Sequence, residues 1–429
     1  MYPANSPNTE ISIDPAIRFN KYLPVAILYF FLNSFLLPHG LLYTTLLTPV
    51  FIIWLYKYPS FKYVWYFFPF IALFVTVHLI NGVNIKSYAI SFFLLFSVYV
   101  FAVAFHRFLK ECNSLRSIYR NILVINSACV IMALIALVIP FLTSAFWHIG
   151  SISSGIESMK RLKLLTYEAS YYSTLLAPVA LYYYLKLIIL KLPNPYIVAF
   201  LLSVPLILSL SFGVLLALAL SLLLTLLAGF RTFFPNKNLP VYIIISGIIL
   251  IVLFITFVQL FPGNVLVQRL NNVLAGTDTS FRGRTTDSFF LGFEVASLKN
   301  LWFGVGPGQV KEVGLDIFRD FYDYDAFLRE NVRIPNSLGD TLATFGIIGV
   351  AIRMFAEVYL FFKTRVWSNY YRLSLFLFIF IYQFTGSYLT NIAEYVIWIL
   401  AFHRGLFTEF DKVAFKVNSI SISRKDPQS

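Results

Sequence analysis

Apolar runs long enough to cross a lipid bilayer follow one another along most of this chain. Of its 429 residues, 59% are hydrophobic and only 12% are charged, which is typical of a protein surrounded mainly by lipid. A helix of about 20 apolar residues spans the hydrocarbon core, so the sequence predicts an all-α polytopic membrane protein with about 12 transmembrane helices. We place them near residues 22–38, 40–57, 61–80, 88–108, 121–143, 172–190, 195–210, 212–230, 241–261, 337–361, 371–388 and 391–410.

The apolar run from Pro195 to Gly229 is too long for a single span. As one helix it would be roughly 52 Å long, well beyond the bilayer core. The polar sequence Ser209-Leu-Ser211 interrupts the run near its middle. We therefore predict a tight hairpin of two spans.

The Lys and Arg residues predict the orientation. With an even number of spans, both termini lie on one side, and the segments on that side carry twenty Lys and Arg, against four in the short loops of the other side. Basic residues concentrate on the cytoplasmic side, so we expect both termini in the cytoplasm. The net charge of +13 then reflects this anchoring rather than binding of nucleic acid. The expected divisions are 1–261 (with an outer loop at 145–171), a large outer segment at 262–336, further spans at 337–410 and a cytoplasmic tail at 411–429.

The outer loop before the sixth span carries charges of both signs. Glu168 follows Arg161 by seven residues, an arrangement that suits a general base beside an anion-binding group. Ordinary interfacial charge is the alternative. The nearby Tyr167 and Tyr171 fit either the aromatic belt of a membrane protein or a platform on which sugars stack.

The large outer segment is polar and holds three recognisable patterns. Arg282 and Arg284 flank a glycine and can bind phosphate oxygens in pairs, or they can simply begin a solvated helix capped by Thr285 or Thr286. Gly304-Val-Gly-Pro-Gly308 predicts a turn, since no strand and helix of the dinucleotide-binding kind flank it. Asp323-Tyr-Asp325 matches the DxD pattern of metal-dependent glycosyltransferases, but an exposed acidic helix face explains it as well.

Two more observations concern the spans. Arg353 and Glu357 are four residues apart inside the tenth span, where charged groups are costly and often functional. Pairing with each other would give them a structural role instead. Cys112 is expected in the cytoplasm and Cys129 within a span, so no disulfide is expected.

The order of these pieces resembles the O-antigen polymerase and ligase superfamily, of Wzy and WaaL type. Residues 161–170 resemble the family's Arg…Glu-Pro-Ser segment, with Ala169 in place of Pro, and residues 283–285 resemble its Ser-Gly-Arg element. Residues 300–308 resemble its Gly-Val-Gly-Pro-Gly turn, and residues 335–349 resemble the ligases' His-Asn-x9-Gly-x-x-Gly. The resemblance covers roughly residues 155–350.

The resemblance implies a glycosyltransferase of the bacterial inner (plasma) membrane, with its active site facing the periplasm. As an O-antigen or surface polysaccharide polymerase in lipopolysaccharide biosynthesis, it would transfer a glycan from undecaprenyl pyrophosphate to a sugar hydroxyl of an incoming lipid-linked repeat unit. The reaction would invert the anomeric carbon and need no metal or other cofactor. The implied partners are undecaprenyl-pyrophosphate-linked oligosaccharides, membrane lipid and a chain-length regulator in the same membrane, with no nucleic acid.

The resemblance also suggests roles for the outer residues. Glu168 is the expected general base, and Asp340 is the second candidate. The pyrophosphate is expected to contact Arg161, Lys163, Arg282 and Arg284, and the glycan chamber is expected to include Tyr167, Tyr171 and Asn336.

One departure from the family separates the possible activities. Pro335 stands where the ligases carry the histidine credited with activating the acceptor, and proline cannot accept a proton. This favours a polymerase. The alternatives are an O-antigen ligase or related oligosaccharyltransferase, and a lipid-linked sugar flippase, although no internal repeat of the transporter kind is evident.

Overall fold

The computed structural model describes residues 22–38, 40–112, 115–151, 158–190, 192, 194–230, 256, 258–260, 263–324 and 328–412. Within these ranges the chain is mostly helical, as predicted. Among the described residues, five helices are long and apolar enough to cross a membrane: Pro59–Ile80, Ile85–Glu111, Leu115–Ala136, Ala169–Ile189 and Ser337–Lys363.

Every predicted span other than the ninth contains a helix, although several of these helices are short. The ninth, residues 241–261, lies largely outside the described residues, so the count of twelve stays a prediction. The predicted break in this apolar run is confirmed, because one helix ends at Leu208 and the next begins at Phe212, with Leu210 between them at a positive φ of 47°.

The described residues before Trp147 form helices that are joined by turns and short loops. Helix α1, Leu23–Ile27, continues as a π-helical turn over Leu28–Leu32, and a short 3-10 turn, Pro59–Phe61, precedes α4. The remaining helices here are α2 Tyr43–Leu46, α3 Thr48–Tyr56, α4 Lys62–Trp65, α5 Phe67–Ile80, α6 Ile85–Glu111, α7 Leu115–Ala136 and α8 Pro140–Phe146.

A two-stranded hairpin corrects the all-α prediction. Strand β1, Trp147–Ser151, pairs antiparallel with β2, Ser158–Leu162, and places His148 opposite Arg161. The two strands have five residues each and a mixed polar sequence, so their alternation is too short to distinguish from a loop in the sequence.

The rest of the described chain is again helical. Helices α9 Ala169–Ile189, α10 Pro195–Leu208 and α11 Phe212–Ala228 follow the β-hairpin, and 3-10 turns occur at Arg329–Asn331, Val366–Ser368 and Thr408–Phe410. The outer segment and the C-terminal part contain α12 Val265–Leu274, α13 Thr279–Arg284, α14 Thr286–Ser297, α15 Val310–Val313, α16 Leu315–Tyr322, α17 Ser337–Lys363, α18 Tyr370–Tyr382 and α19 Ile392–Phe402.

Helix α9 is buried on nearly every side and forms the centre of the main hydrophobic core. Its small and hydroxyl-bearing residues allow close packing, and its tyrosines find polar partners there. The hydroxyl of Tyr172 donates to Asn126 at 2.7 Å, and that of Ser173 donates to Ser209 at 2.7 Å. Buried polar groups are stable only when they are paired in this way. The helix therefore gives a fixed platform for Glu168, which precedes its first residue.

The outer segment docks into a break in α17. At Gly346 the backbone leaves helical geometry (φ 65°, ψ −167°), a conformation that favours glycine. The backbone N–H groups of Val305 and Gly306 donate to the carbonyls of Ala343 and Thr344, each at 2.9 Å. On the other side of the break, Ile347 and Ile348 donate to the carbonyls of residues 301 and 302, each at 3.0 Å. The segment 301–306 thus replaces the helical hydrogen bonds that the break removes.

The glycine-rich sequence Gly304–Gly308 is a turn, as predicted. It fits against α5 and α6: the carbonyl of Phe303 lies 2.7 Å from Nε2 of His78. A Cβ at Gly306 would come within 2.8 Å of the Tyr88 ring, and one at Gly308 within 2.4 Å of the Ser91 hydroxyl. Glycine is therefore required by this close approach, and nothing here depends on a dinucleotide.

Candidate functional site

A cavity of about 390 Å³ lies where the outer segment, α17 and the N-terminus of α9 meet α2 and α6. Tyr167, Glu168, Ser170 and Tyr171 line it from the start of α9. The opposite sides are contributed by the outer segment, by α17 and by the loop after α18, with Arg284, Lys311, Arg333, Asp340, Thr344, Ser387, Tyr388, Thr390 and Asn391 among the lining residues.

Five residues predicted from the sequence line this cavity: Glu168, Asp340, Arg284, Tyr167 and Tyr171. The other four predicted residues do not line it, and each has a specific structural reason that is described below. They are Arg161, Lys163, Arg282 and Asn336.

Glu168 occupies the N-cap position of α9 with an extended backbone, and its side chain does not cap the helix. One carboxylate oxygen accepts a hydrogen bond of 2.6 Å from the Ser170 hydroxyl. Burial raises the pKa of Glu168, but the Ser170 hydrogen bond and the charges of Arg284, Arg333 and Arg161 together hold it below its ordinary value. Glu168 is therefore ionised at neutral pH and can accept a proton.

Arg161 lies in strand β2 beside the cavity rather than in its lining. Its Nε donates to the carbonyl of Ser209 at 3.2 Å. Burial lowers the pKa of this guanidinium, which interacts with the charges of Glu168, Arg284 and Arg269. Lys163, two residues later, is half-buried, and burial lowers its pKa as well. Arg161 therefore contributes to the field around Glu168 without lining the cavity.

Arg282 and Arg284 do not form a paired fork. They belong to α13, where residues two positions apart point in nearly opposite directions. Arg282 is 51% exposed and lies 3.6 Å from the Asp287 carboxylate, whereas Arg284 faces the cavity. Asp278 caps this helix by accepting from the N–H of residue 281 at 2.6 Å. Thr285 stands at the start of α14, but its side chain does not cap it.

Sequence reasoning missed two cations of the cavity, Lys311 and Arg333. Lys311 is three residues after Gly308, the end of the glycine-rich turn, and Arg333 is two residues before Pro335. No ion pair joins Arg284, Lys311 or Arg333 to any acidic side chain within 4.0 Å in the described part of the chain. The signal that the sequence offered was their closeness to the glycine-rich turn and to Pro335.

Asn336 is fully buried and serves as an N-cap rather than a glycan contact. Its side-chain oxygen accepts from the N–H groups of Leu338 and Gly339 at 3.0 and 2.9 Å. Its amide nitrogen donates to the carbonyl of Arg284 at 2.9 Å and also bonds the carbonyl of Phe384. Asn336 therefore fixes the position of Arg284 by holding its backbone.

Asp340 reaches the cavity, but both carboxylate oxygens have partners. One accepts from the N–H of Leu389 at 3.0 Å and the other from the hydroxyl of Thr344 at 3.4 Å. These contacts attach the loop after α18 to the start of α17. The geometry suits a residue that holds the cavity wall better than it suits a base.

A cluster of tyrosines forms the remaining polar side of the cavity. The rings of Tyr167 and Tyr171 stack with centroids 4.8 Å apart, and the hydroxyls of Tyr167 and Tyr388 are hydrogen-bonded. Burial raises the pKa of both Tyr167 and Tyr388 well above the ordinary value, so these hydroxyls stay neutral. Flat rings with hydroxyl tips suit the faces and hydroxyls of sugars.

The remaining candidates lie apart from the cavity. Among the described residues, no cluster of three or more His, Cys, Asp or Glu side chains is arranged to hold a metal. Asp325 of the DxD pattern lies outside those residues, and Asp323 ends α16 in a left-handed conformation. The predicted pairing of Arg353 with Glu357 is confirmed at 3.1 Å.

The cavity therefore combines an ionised carboxylate, three cations and a tyrosine-rich side within one partly open space. Comparison of the chain with protein-family models and with curated proteins finds no match to either.

Proposed function

We propose that this chain is a membrane-embedded glycosyltransferase that polymerises lipid-linked oligosaccharide repeat units. The observation that carries the proposal is the charge of the cavity. Arg284, Lys311 and Arg333 line it, Arg161 lies beside it, and Glu168 is the lining carboxylate that is not committed to the wall. Arg284 is half-buried, Lys311 and Arg333 are exposed, and none of the three forms an ion pair among the described residues. Together they attract an anion into the cavity.

A lipid pyrophosphate fits this charge and this location. It carries about two negative charges and stays in the bilayer, while its glycan extends into the polar part of the site. Arg284, Lys311 and Arg333 would bind the pyrophosphate directly, with Arg161 adding to the field. The tyrosine cluster would contact the sugars.

The chemistry would be a single displacement at the anomeric carbon. Glu168 removes the proton from the acceptor hydroxyl as its oxygen bonds to that carbon. The bond from the same carbon to the pyrophosphate breaks, and its electron pair leaves with the pyrophosphate, whose charge the cations stabilise. One base and one displaced anion give inversion of configuration, by analogy with inverting glycoside chemistry. These residues would supply the charge stabilisation without a metal.

The proposed setting is the bacterial inner membrane, with twelve spans, both termini in the cytoplasm and the cavity on the periplasmic side. The distribution of Lys and Arg supports this orientation. Undecaprenyl-pyrophosphate-linked oligosaccharides would be both donor and acceptor, and a chain-length regulator would be a further partner. A ligase that passes the glycan to another acceptor is the second candidate, since it would need the same anion site and the same kind of base.

The test is transfer by the purified protein. It would be mixed with a lipid-linked repeat unit and EDTA, and the product separated on a gel, with an Arg284→Ala protein as the control. A ladder of repeats supports a metal-independent polymerase. Transfer only when a lipid A core is supplied would show a ligase. If the protein transferred the glycan to neither acceptor but moved the lipid-linked unit across the membrane of vesicles, it would be a flippase rather than an enzyme.

A further inference from the structure

Arg353 is a buried arginine that the proposed reaction does not use. It lies in α17, where its side chain is 14% exposed, and all three guanidinium nitrogens have partners. Nε donates to Glu357 at 3.1 Å and to Gln383 at 3.0 Å. The other two donate to the hydroxyls of Thr341 and Ser337 at 3.1 and 2.8 Å.

Arg353 also forms an ion pair with Glu394. Glu394 is buried in the first turn of α19, where the helix dipole favours a carboxylate. Its second oxygen accepts a hydrogen bond of 2.6 Å from the hydroxyl of Ser387. Ser387 in turn accepts from the side-chain amide of Asn391 at 2.9 Å. A continuous chain of hydrogen bonds thus runs from α17 to the loop after α18.

This loop is one wall of the cavity, to which Ser387, Tyr388, Thr390 and Asn391 contribute. It has no helical or strand hydrogen bonds of its own through residues 386–390, and Ser387 has a positive φ of 68°, which is strained for a residue with a Cβ. Its shape therefore depends on contacts from outside. Glu394 holds it at Ser387, and Asp340 holds it at the N–H of Leu389, 3.0 Å away.

We propose that Arg353 is a positioning residue, which fixes the cavity wall at residues 386–391 through Glu394 and Ser387. This inference rests on the proposed function, since it assigns the wall to the glycan side of that site. Arg353 is itself held by α17, because two of its nitrogens donate to the hydroxyls of Thr341 and Ser337. Its ion pair with one oxygen of Glu394 leaves the other oxygen to accept from Ser387. A wall held in one position keeps Tyr388 against Tyr167 and keeps the acceptor sugar in line for reaction.

A second buried arginine provides a matched control. Arg372, in α18, is 3% exposed and donates to the carbonyls of Ala401 and Thr364, each at 2.9 Å. It does not line the cavity and has no contact with the loop at 386–391. A general defect of buried arginine would appear in both Arg353→Lys and Arg372→Lys, whereas a positioning defect would appear in the first alone.

The first readout is transfer of a lipid-linked repeat unit by Ser387→Ala, Arg353→Lys and the double variant, each with kcat and KM resolved. Ser387→Ala removes the hydrogen bonds of the Ser387 hydroxyl with Glu394 and Asn391 and leaves the ion pairs intact, so it should fold. We expect kcat to fall about 10-fold to 100-fold in each single variant, with KM nearly unchanged. Because both changes break the same chain, the double variant should be no slower than the slower single one. Additive losses, or a normal kcat in Ser387→Ala, would overturn the proposal.

The second readout does not need activity. In a protein with Cys112→Ser and Cys129→Ser, Thr390→Cys reports how firmly the wall is held through its rate of labelling by a membrane-impermeant maleimide. We expect severalfold faster labelling when Arg353→Lys or Ser387→Ala is added, and no change with Arg372→Lys. If the unsubstituted enzyme makes no product, the proposed function fails, but this rate still decides the positioning role. Equal labelling rates in all variants would contradict it.

Discussion

A buried arginine of α17 and the three cations that line the cavity differ in their partners. Arg353 lies in a membrane-crossing candidate helix, is bound by Glu357 and Glu394 and has a partner at each nitrogen. Arg284, Lys311 and Arg333 line the cavity and have no ion-pair partner among the described residues. A buried charge with complete pairing stabilises one arrangement of its helices, whereas a charge left unpaired on a cavity is available to a ligand.

The two carboxylates of the cavity show the same division. Asp340 has both oxygens occupied by the protein, while Glu168 accepts from Ser170 through one oxygen. Residue type alone made both of them candidates for the base. Their hydrogen bonds distinguish a possible base from a residue that holds the wall. Three substitutions and one change of pH test this distinction and the one between the two sets of cations.

Glu168→Gln should have the largest effect on activity. The amide keeps the hydrogen bond geometry of the carboxylate but cannot take the acceptor proton, so we expect kcat to fall by about 100-fold to 10,000-fold. Single-turnover transfer of a lipid-linked unit measures this. Ser170→Ala is the control and should cost far less, since it removes one neutral hydrogen bond. A rate within a few-fold of the parent would remove Glu168 as the base.

Arg353→Met should have the largest effect on stability. It leaves Glu357 and Glu394 buried without their cation, which we expect to cost about 3–5 kcal/mol in the free energy of unfolding. Arg333→Met should change stability little, because no carboxylate in the described part of the chain pairs with it within 4.0 Å. Thermal denaturation in detergent, followed by tryptophan fluorescence, compares the two. Equal shifts in melting temperature would erase the distinction between paired and unpaired cations.

Arg284→Ala should lower kcat by about 100-fold, or roughly 3 kcal/mol, since it removes one donor to the leaving pyrophosphate. Arg282→Ala is a matched control from the same short helix. Its side chain is half exposed and pairs with Asp287, so its loss should change kcat less than about fivefold. Similar losses in both variants would mean that the helix, rather than the cavity-facing charge, is required.

The pH dependence should be the smallest effect. The pKa of Glu168 is held below its ordinary value of 4.5, so the carboxylate stays ionised as the pH falls and is protonated only in strongly acidic solution. We expect kcat/KM, which reports the free enzyme, to stay level from about pH 8 to about pH 5 and to decline below that. A decline near neutral pH would assign the step to another group.

Much of the fold followed from the sequence because apolar length is a local property. The split at Ser209 and the turn at Gly304–Gly308 were also recognisable locally. The site was harder, because the direction of a side chain depends on helix phase and on distant partners. Arg282 and Arg284 are alike in the sequence and differ only in the face of α13 on which they lie. The amide nitrogen of Asn336 bonds carbonyls that are 52 and 48 residues away, so its hold on the backbone of Arg284 was not visible in the sequence.

The break at Gly346 has a consequence for biogenesis. A helix that enters the membrane with a non-helical residue exposes carbonyl and N–H groups that lipid cannot bind. Here those groups at residues 343–348 are completed by residues 301–306, which are translated earlier but belong to the outer segment. The cavity is therefore complete only after residues 301–306 have folded back against α17. Docking of the glycine-rich turn is thus a step in the assembly of the cavity.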